Sequence, residues 1–326
     1  MNVLVVGVAG AYFGREETAL VNALAMEIGS LGHRVDTLML PYVSDMLGLP
    51  DQLLAYSLLD FSAADIVISV GYPAFTLRHS HKACFLFELA PDLHEYLGSE
   101  YGVLDGPQYV RLRDCVFEAE RRCLLEADKI ICGSKILAGD IKNLFGIESE
   151  VKYVPPVVDI FGECEQGDYM VCETNLQPCD NIELLIDALE ICRIKTKIYA
   201  KEASNTYINA LEKRISSSRL NEYVELFCED LSSEVLACSY GYIDFGFSKR
   251  KIEYSLTKAT VMGVPVLALK DGGAVCELPG VRLYENNAHS IAEGILAASK
   301  DKRRKRYDRS IQMFSSMKEI AESLVI

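Results

Sequence analysis

The stretch Ile252–Gly273, IEYSLTKATVMGVPVLALKDGG, decides the fold. It opens as a helical run ending at Met262, where Gly263 stops the helix. Pro265-Val266-Leu267-Ala268-Leu269 then reads as a buried strand leading into the loop Asp271-Gly272-Gly273. Helix, glycine, apolar strand and glycine loop in that order make the closing unit of a layered α/β domain. The rest of the chain repeats the theme, with strand-like runs alternating with helical patterns and mainly parallel sheets expected.

The first unit is clear at the N-terminus. Val3–Val8 is a continuous apolar run, Thr18–Leu31 has helical periodicity, and Gly32-His33 ends it before a strand at Val35–Leu40. Further strands are expected at Ala64–Ser69, Ala83–Phe87, Ala127–Ser134, Tyr169–Glu173, Thr196–Ala200 and Val224–Cys228. Helices are expected over Glu120–Ala127, after Ser134 to about Phe145, over Ile182–Leu189 and around Tyr207–Ser217.

These elements resemble family 4 glycosyltransferases of the GT-B fold. In that family a Glu stands five residues before the glycine matching Gly263, with a second Glu eight residues earlier; Lys258 and Arg250 hold those places here. The family's carboxylates accept hydrogen bonds from the donor's hydroxyls, which a cation cannot do. Glu253 would take over the first carboxylate's role if the alignment slips. Gly263, Pro265, the Gly272-Gly273 pair and Glu277 are retained.

The same substitution pattern recurs along the resemblance. The family's opening glycine pair is reduced to Gly14 in Gly14-Arg15-Glu16-Glu17-Thr18, and Glu16 and Glu17 at a helix start favour the helix dipole while repelling phosphate. The run Gly71–Lys82, with Tyr72-Pro73-Ala74-Phe75 and then Arg78-His79, is similar to one branch of the family, where a His after the next strand lines the sugar cleft; Glu88 stands there instead. His79 and His81 also suit strand-end hydrogen bonding. The family's two diphosphate-holding cations correspond to Asn175 and Asp180, and a further glycine loop is replaced by Lys201-Glu202, where Lys201 offers a cation from another direction. Pro155-Pro156-Val157-Val158-Asp159 matches the family's interdomain segment and also stiffens a connection by itself.

The resemblance implies an α/β protein of two Rossmann-like domains facing across a cleft: residues 1–157 on the acceptor side, 158–305 on the donor side, and a C-terminal helix in 306–326 returning to the first domain. Arg, Lys, both carboxylates, His and the glycine pair are all replaced. This implies a glycosyltransferase-like protein of glycan assembly that no longer transfers sugar and acts as a partner or regulatory subunit, or binds a glycan. The alternative is an active retaining glycosyltransferase that holds its nucleotide-sugar substrate with Lys201, Lys258, Arg250 and Glu253. A third class, another GT-B activity such as epimerisation, lacks a convergent acid and base set.

Composition bounds the partners. The 326 residues, 50% hydrophobic and 25% charged, suffice for two domains with their own cores. A net charge of −14 argues against nucleic acid and against a membrane surface, leaving an active glycosyltransferase, a second copy or a glycan as expected partners. The basic run Lys300–Arg306 reads as a solvated helix face. Eleven cysteines without repeated C-x-x-C spacing suggest free, mostly buried thiols, no metal and no cofactor. With no signal-like N-terminus, a cytoplasmic location is expected.

Overall fold

The computed structural model describes residues 1–9, 15–42, 48–90, 107–156, 165, 167–174, 181–200, 205–245, 250–270, 273–301 and 313–325, the side chains at 15–16, 107–109 and 205–206 excepted. The chain forms two compact units, Met1–Val157 with Phe314–Ile326, and Val158–Met313.

The first unit holds a six-stranded sheet of β1 (Asn2–Ala9), β2 (Arg34–Pro41), β3 (Ile66–Val70), β4 (Lys82–Leu86), β5 (Lys129–Cys132) and β6 (Glu150–Val151). Its order is β2-β1-β3-β4-β5-β6, and every pairing is parallel. The five residues of β3 and the five of β4 are all buried, as expected for strands covered on both faces. Helices α1 (Arg15–Ser30), α2 (Leu49–Ser57), α3 (Pro107–Leu125) and α4 (Lys135–Phe145) connect them. Helix α1 lies hard against β1: a Cβ added at Gly7 would fall 2.6 Å from Cγ2 of Val21. Local signals set the helix ends. Ser134 caps α4 by accepting the Leu137 N–H at 3.1 Å, and Gly146 closes it at φ 72°.

Inside this unit Lys82 is completely buried. Its ammonium donates to the carbonyls of Phe75 (2.9 Å), Leu77 (3.0 Å) and Cys123 (2.8 Å), so the connection after β3, strand β4 and α3 share one cation. A terminal helix, α10 (Met317–Leu324), also belongs here: Ile320, Ala321 and Leu324 are fully buried and α10 packs on α1 and β4. Ser316 and Glu319 form a reciprocal capping box at its start.

The second unit repeats the plan. Strands β7 (Met170–Thr174), β8 (Thr196–Ala200), β9 (Val224–Phe227), β10 (Gly241–Asp244), β11 (Val266–Leu269) and β12 (Arg282–Tyr284) run in the order β12-β11-β10-β7-β8-β9, again parallel throughout. Its helices are α5 (Ile182–Cys192), α6 (Asn205–Ser217), α7 (Ser233–Cys238), α8 (Tyr254–Met262) and α9 (Ala288–Lys300). One sheet face supplies Cys172, Ile198, Ile243 and Leu267 to a core completed by Leu185 and Leu189 of α5 and by Ile291 and Ile295 of α9. Gly263 ends α8 at φ 72°, its N–H bonded to the carbonyls of Ala259 and Thr260.

Among the described residues, no helix is long and apolar enough to cross a membrane. The nine cysteines among the described residues are free; Cys84, Cys123, Cys132 and Cys172 are buried, while Cys115, Cys228 and Cys276 are exposed. Burial pushes the Cys132 thiol up to about 11, which keeps it protonated and unreactive.

Candidate functional site

In a doubly wound parallel sheet, ligands collect beyond the carboxyl ends of the strands, where successive connections leave for opposite sides. In the first sheet that point lies between β1 and β3. Gly71, at φ 76°, turns the chain there and sends Tyr72 and Phe75 into the core. The ring of Tyr42 meets that of Tyr72 edge-on at 6.3 Å. Past the end of β4, Glu88 is half-buried, and the N–H of Ala90 is held at 2.9 Å by the carboxylate of Glu120, itself fully buried on α3.

In the second sheet the switch point falls between β7 and β10. Two acidic residues flank it. Ile243 pairs with Cys172, so Asp244 and Glu173, each one residue further along, lie side by side on adjacent strands. Both occupy the sheet face opposite the apolar core, because successive strand residues alternate. The row continues through Tyr199 on β8 and Phe227 on β9, whose rings stack with centroids 4.9 Å apart.

Helix α8 covers this acidic face, packing on β10 and β11. Its second residue, Ser255, donates its hydroxyl hydrogen to the carboxylate of Glu173. Glu253 stands at the N-cap without a side-chain capping bond, and Lys251 lies 3.5 Å from it. The carboxylates of Glu173, Asp244 and Glu253 all bear on Tyr242: burial first, then these charges, hold its phenol well above the usual tyrosine range. Lys258 is buried on α8 one turn beyond Ser255 and so on the same helix side.

The residues singled out from sequence therefore divide. Arg250 precedes α8, Glu253 is its N-cap and Lys258 is buried at its middle. Gly273 and Glu277 bound a 3₁₀ turn after β11, Gly273 at φ 69°. In the first unit Glu88 lies beyond the carboxyl end of β4, whereas Arg78 and His79 lie before its start, at the opposite edge of the sheet. There His79 Nδ1 is 2.6 Å from the carbonyl oxygen of His81, and Nε2 is 3.2 Å from that of Ala64. Arg15 begins α1. Gly14, Asn175, Asp180, Lys201 and Gly272 lie outside the described residues.

Sequence reasoning missed Glu173 and Asp244. Each is the polar residue near the end of an otherwise apolar run, YMVCET and GYID, and such positions usually mark only where a strand meets solvent. What this edge does chemically follows from its charges. On the first turn of α8 the Ser255 hydroxyl is taken up by the Glu173 carboxylate, while Lys251 faces Glu253 and Lys258 is buried one turn further on.

Two parallel six-stranded sheets with flanking helices define the two-domain Rossmann-like GT-B fold, and solved structures similar to the chain are GT-B glycosyltransferases. HepE from Anabaena in complex with UDP matches with a TM-score of 0.64 at 15% identity, over 99% of this chain and 95% of that one. WaaG, a glycosyltransferase involved in lipopolysaccharide biosynthesis, matches with a TM-score of 0.66 at 12% identity, over 99% of both chains. A glycosyltransferase from Rickettsia africae matches with a TM-score of 0.61 at 14% identity, over 99% of this chain and 92% of that one. No protein-family model and no curated protein matches the sequence. The likeness is thus one of fold.

Proposed function

We propose that the chain is a glycosyltransferase-like protein of glycan assembly, similar to family 4, that has lost donor chemistry and serves as a partner or regulatory subunit of an active glycosyltransferase. The observation that carries this reading is the gathering of Glu173, Asp244 and Glu253 at the switch-point edge of the second sheet. Sugar transfer needs cations to hold the diphosphate and to offset charge as the nucleotide departs, and electrostatic stabilisation of that kind usually contributes most to the rate. An edge carrying three carboxylates raises the cost of that charge. The replacement of the family's Arg and Lys by Asn175 and Asp180 points the same way.

As a regulatory protein it works in the cytoplasm beside an active enzyme, as a second copy of itself, or on a glycan. Affinity purification of the tagged chain should bring down a glycosyltransferase or a homodimer; a monomer at every concentration with no such companion contradicts the partner role.

One observation favours a second reading, an active retaining hexosyltransferase with a rearranged donor site. Lys258 and Glu253 put a cation and a carboxylate on the same short helix, and the similar HepE was solved with UDP-glucose. A turnover assay with UDP-, GDP- and ADP-hexoses and glycan acceptors separates the two: the first reading predicts neither transfer nor donor hydrolysis.

A further inference from the structure

Helix α2 is apolar on both sides. Leu49, Leu53 and Tyr56 share its inner side and are buried. The Tyr56 hydroxyl also donates to the carbonyl oxygen of Pro41 at 2.6 Å, which ties the helix to the end of β2. The opposite side is where a surface helix normally carries its charges. Here it reads Asp51, Leu54, Ala55 and Leu58, all exposed, with Leu54 at 58% and Leu58, the C-cap, at 75%. Leu59 follows at 39%. By contrast Met26 on α1, Leu144 on α4 and Ile191 on α5 stand alone on their helices, as scattered surface residues do.

The charge around this stripe is mainly of one sign. Between Arg34 and Arg78 the chain has no lysine, arginine or histidine, and it carries Asp36, Asp45, Asp51, Asp60 and Asp65. Five aspartates against the two bounding arginines leave a net charge of −3. The Asp60 carboxylate accepts the Ser62 N–H at 2.9 Å, a bond that holds its carboxyl below the ordinary value and so keeps it ionised. The Asp65 carboxylate accepts the Asn2 N–H at 2.6 Å. Helix α3, which packs beside α2, is balanced: Arg111, Arg113, Arg121 and Arg122 stand against Asp114, Glu118, Glu120 and Glu126. Within it Arg113 pairs with Asp114 and Arg121 with Glu118.

These charges narrow the occupant. A second copy would set aspartates against aspartates, and an anionic lipid surface would be repelled. A stable dimer also buries about 800 Å² on each partner, and a patch of three leucines is too small for that. We propose that the outer side of α2, with Leu54, Leu58 and Leu59 inside a rim of aspartates, is the surface on which a basic amphipathic helix of a partner protein docks. This rests on the partner role proposed above and gives that partner's chemistry: leucine-like side chains at helical spacing among lysines or arginines.

Fluorescence anisotropy of the full chain with a labelled synthetic helical peptide of leucine and lysine reads the docking. A leucine–glutamate peptide of the same pattern is the control. The lysine peptide should bind in the micromolar range, and the glutamate peptide at least about tenfold more weakly. Leu58→Asp should weaken the lysine peptide by about tenfold, although it adds a negative charge, and Leu54→Gln should give the same sign if that variant does not fold. Asp51→Asn with Asp60→Asn should weaken it by about threefold and flatten its salt dependence. Unchanged binding by folded Leu58→Asp overturns the proposal, since it marks general attraction to a chain of net charge −14. So does a dimer in ultracentrifugation that Leu58→Asp dissolves, or binding to phosphatidylserine vesicles that it abolishes. Sugar transfer by the unmodified protein would instead overturn the non-catalytic reading and leave the peptide result standing.

Discussion

The ammonium of Lys82 lies 2.8 Å from the carbonyl oxygen of Cys123, bonding a strand start to the last turns of a helix 41 residues away. The same group reaches Phe75 and Leu77, and the side chain is wholly buried. Lys82→Met fills the space but leaves three carbonyls without this donor. Each such loss costs about 1–3 kcal/mol, partly offset because the buried charge is also removed. The net expectation is about 3 kcal/mol of lost stability, a melting temperature lower by about 6–12 °C for the first unit. Calorimetry on the variant checks it.

The second unit has a comparable tight place at Gly241. A Cβ there would lie 2.9 Å from the carbonyl oxygen of Pro265 and 3.0 Å from Cε of Met170. The backbone oxygen cannot move aside without disturbing the β10–β11 ladder, whose bond from the Tyr242 N–H to that oxygen is 2.8 Å. Gly241→Ala should therefore destabilise by about 1–3 kcal/mol, as overpacking does. Denaturant unfolding followed by tyrosine fluorescence measures the loss.

Acid should loosen the edge strand β6. Hydrogen bonds from Lys129 and then Lys152 hold the Glu150 carboxyl below its ordinary value; the Nζ distances are 2.6 and 3.0 Å. A carboxyl whose folded value is depressed adds stability above its unfolded value, about 4.3, and loses it as pH falls through the folded one. The stability difference between the protein and Glu150→Gln should thus be flat at about pH 5–8 and shrink below about pH 4. It should also be small, since the pair is about a third exposed and screened by solvent.

Strands made of continuous apolar residues are legible in the sequence because both faces of a parallel sheet are covered. Val3–Val8 forms the centre of β1, Val266–Leu269 forms β11, and Gly263 ends its helix in the left-handed conformation that glycine tolerates. Lys82 reads only as the polar residue before a strand; nothing local shows that three carbonyls converge on it. Arg78, His79 and Glu88 are close in sequence, yet β4 separates them to opposite sheet edges. The acidic edge is hidden for a similar reason. Glu173 and Asp244 stand far apart in the chain and become neighbours only because β10 inserts next to β7, an ordering no single strand encodes. Lys258 and Glu253 are visible from sequence, since one helix carries both.

The two donor-site cations of the family 4 enzymes that the sequence resembles offer a gain-of-function experiment. Restoring them as Asn175→Arg with Asp180→Lys converts one neutral and one negative group into two positive ones. Each charge-assisted bond to phosphate is worth about 1.5–3 kcal/mol, so the double variant should bind UDP at least about tenfold more tightly. Titration calorimetry reads the change.

The most direct measurement is a thermal-shift screen of the unmodified chain against UDP, GDP, ADP, CMP and their common sugar conjugates at millimolar concentration. A ligand at about a hundred times its dissociation constant stabilises by about 2.7 kcal/mol, a readily seen shift. The account predicts no shift with any nucleotide across the panel. A clear shift with one of them, saturating in the micromolar range, would contradict it and name the donor class to carry into the turnover assay.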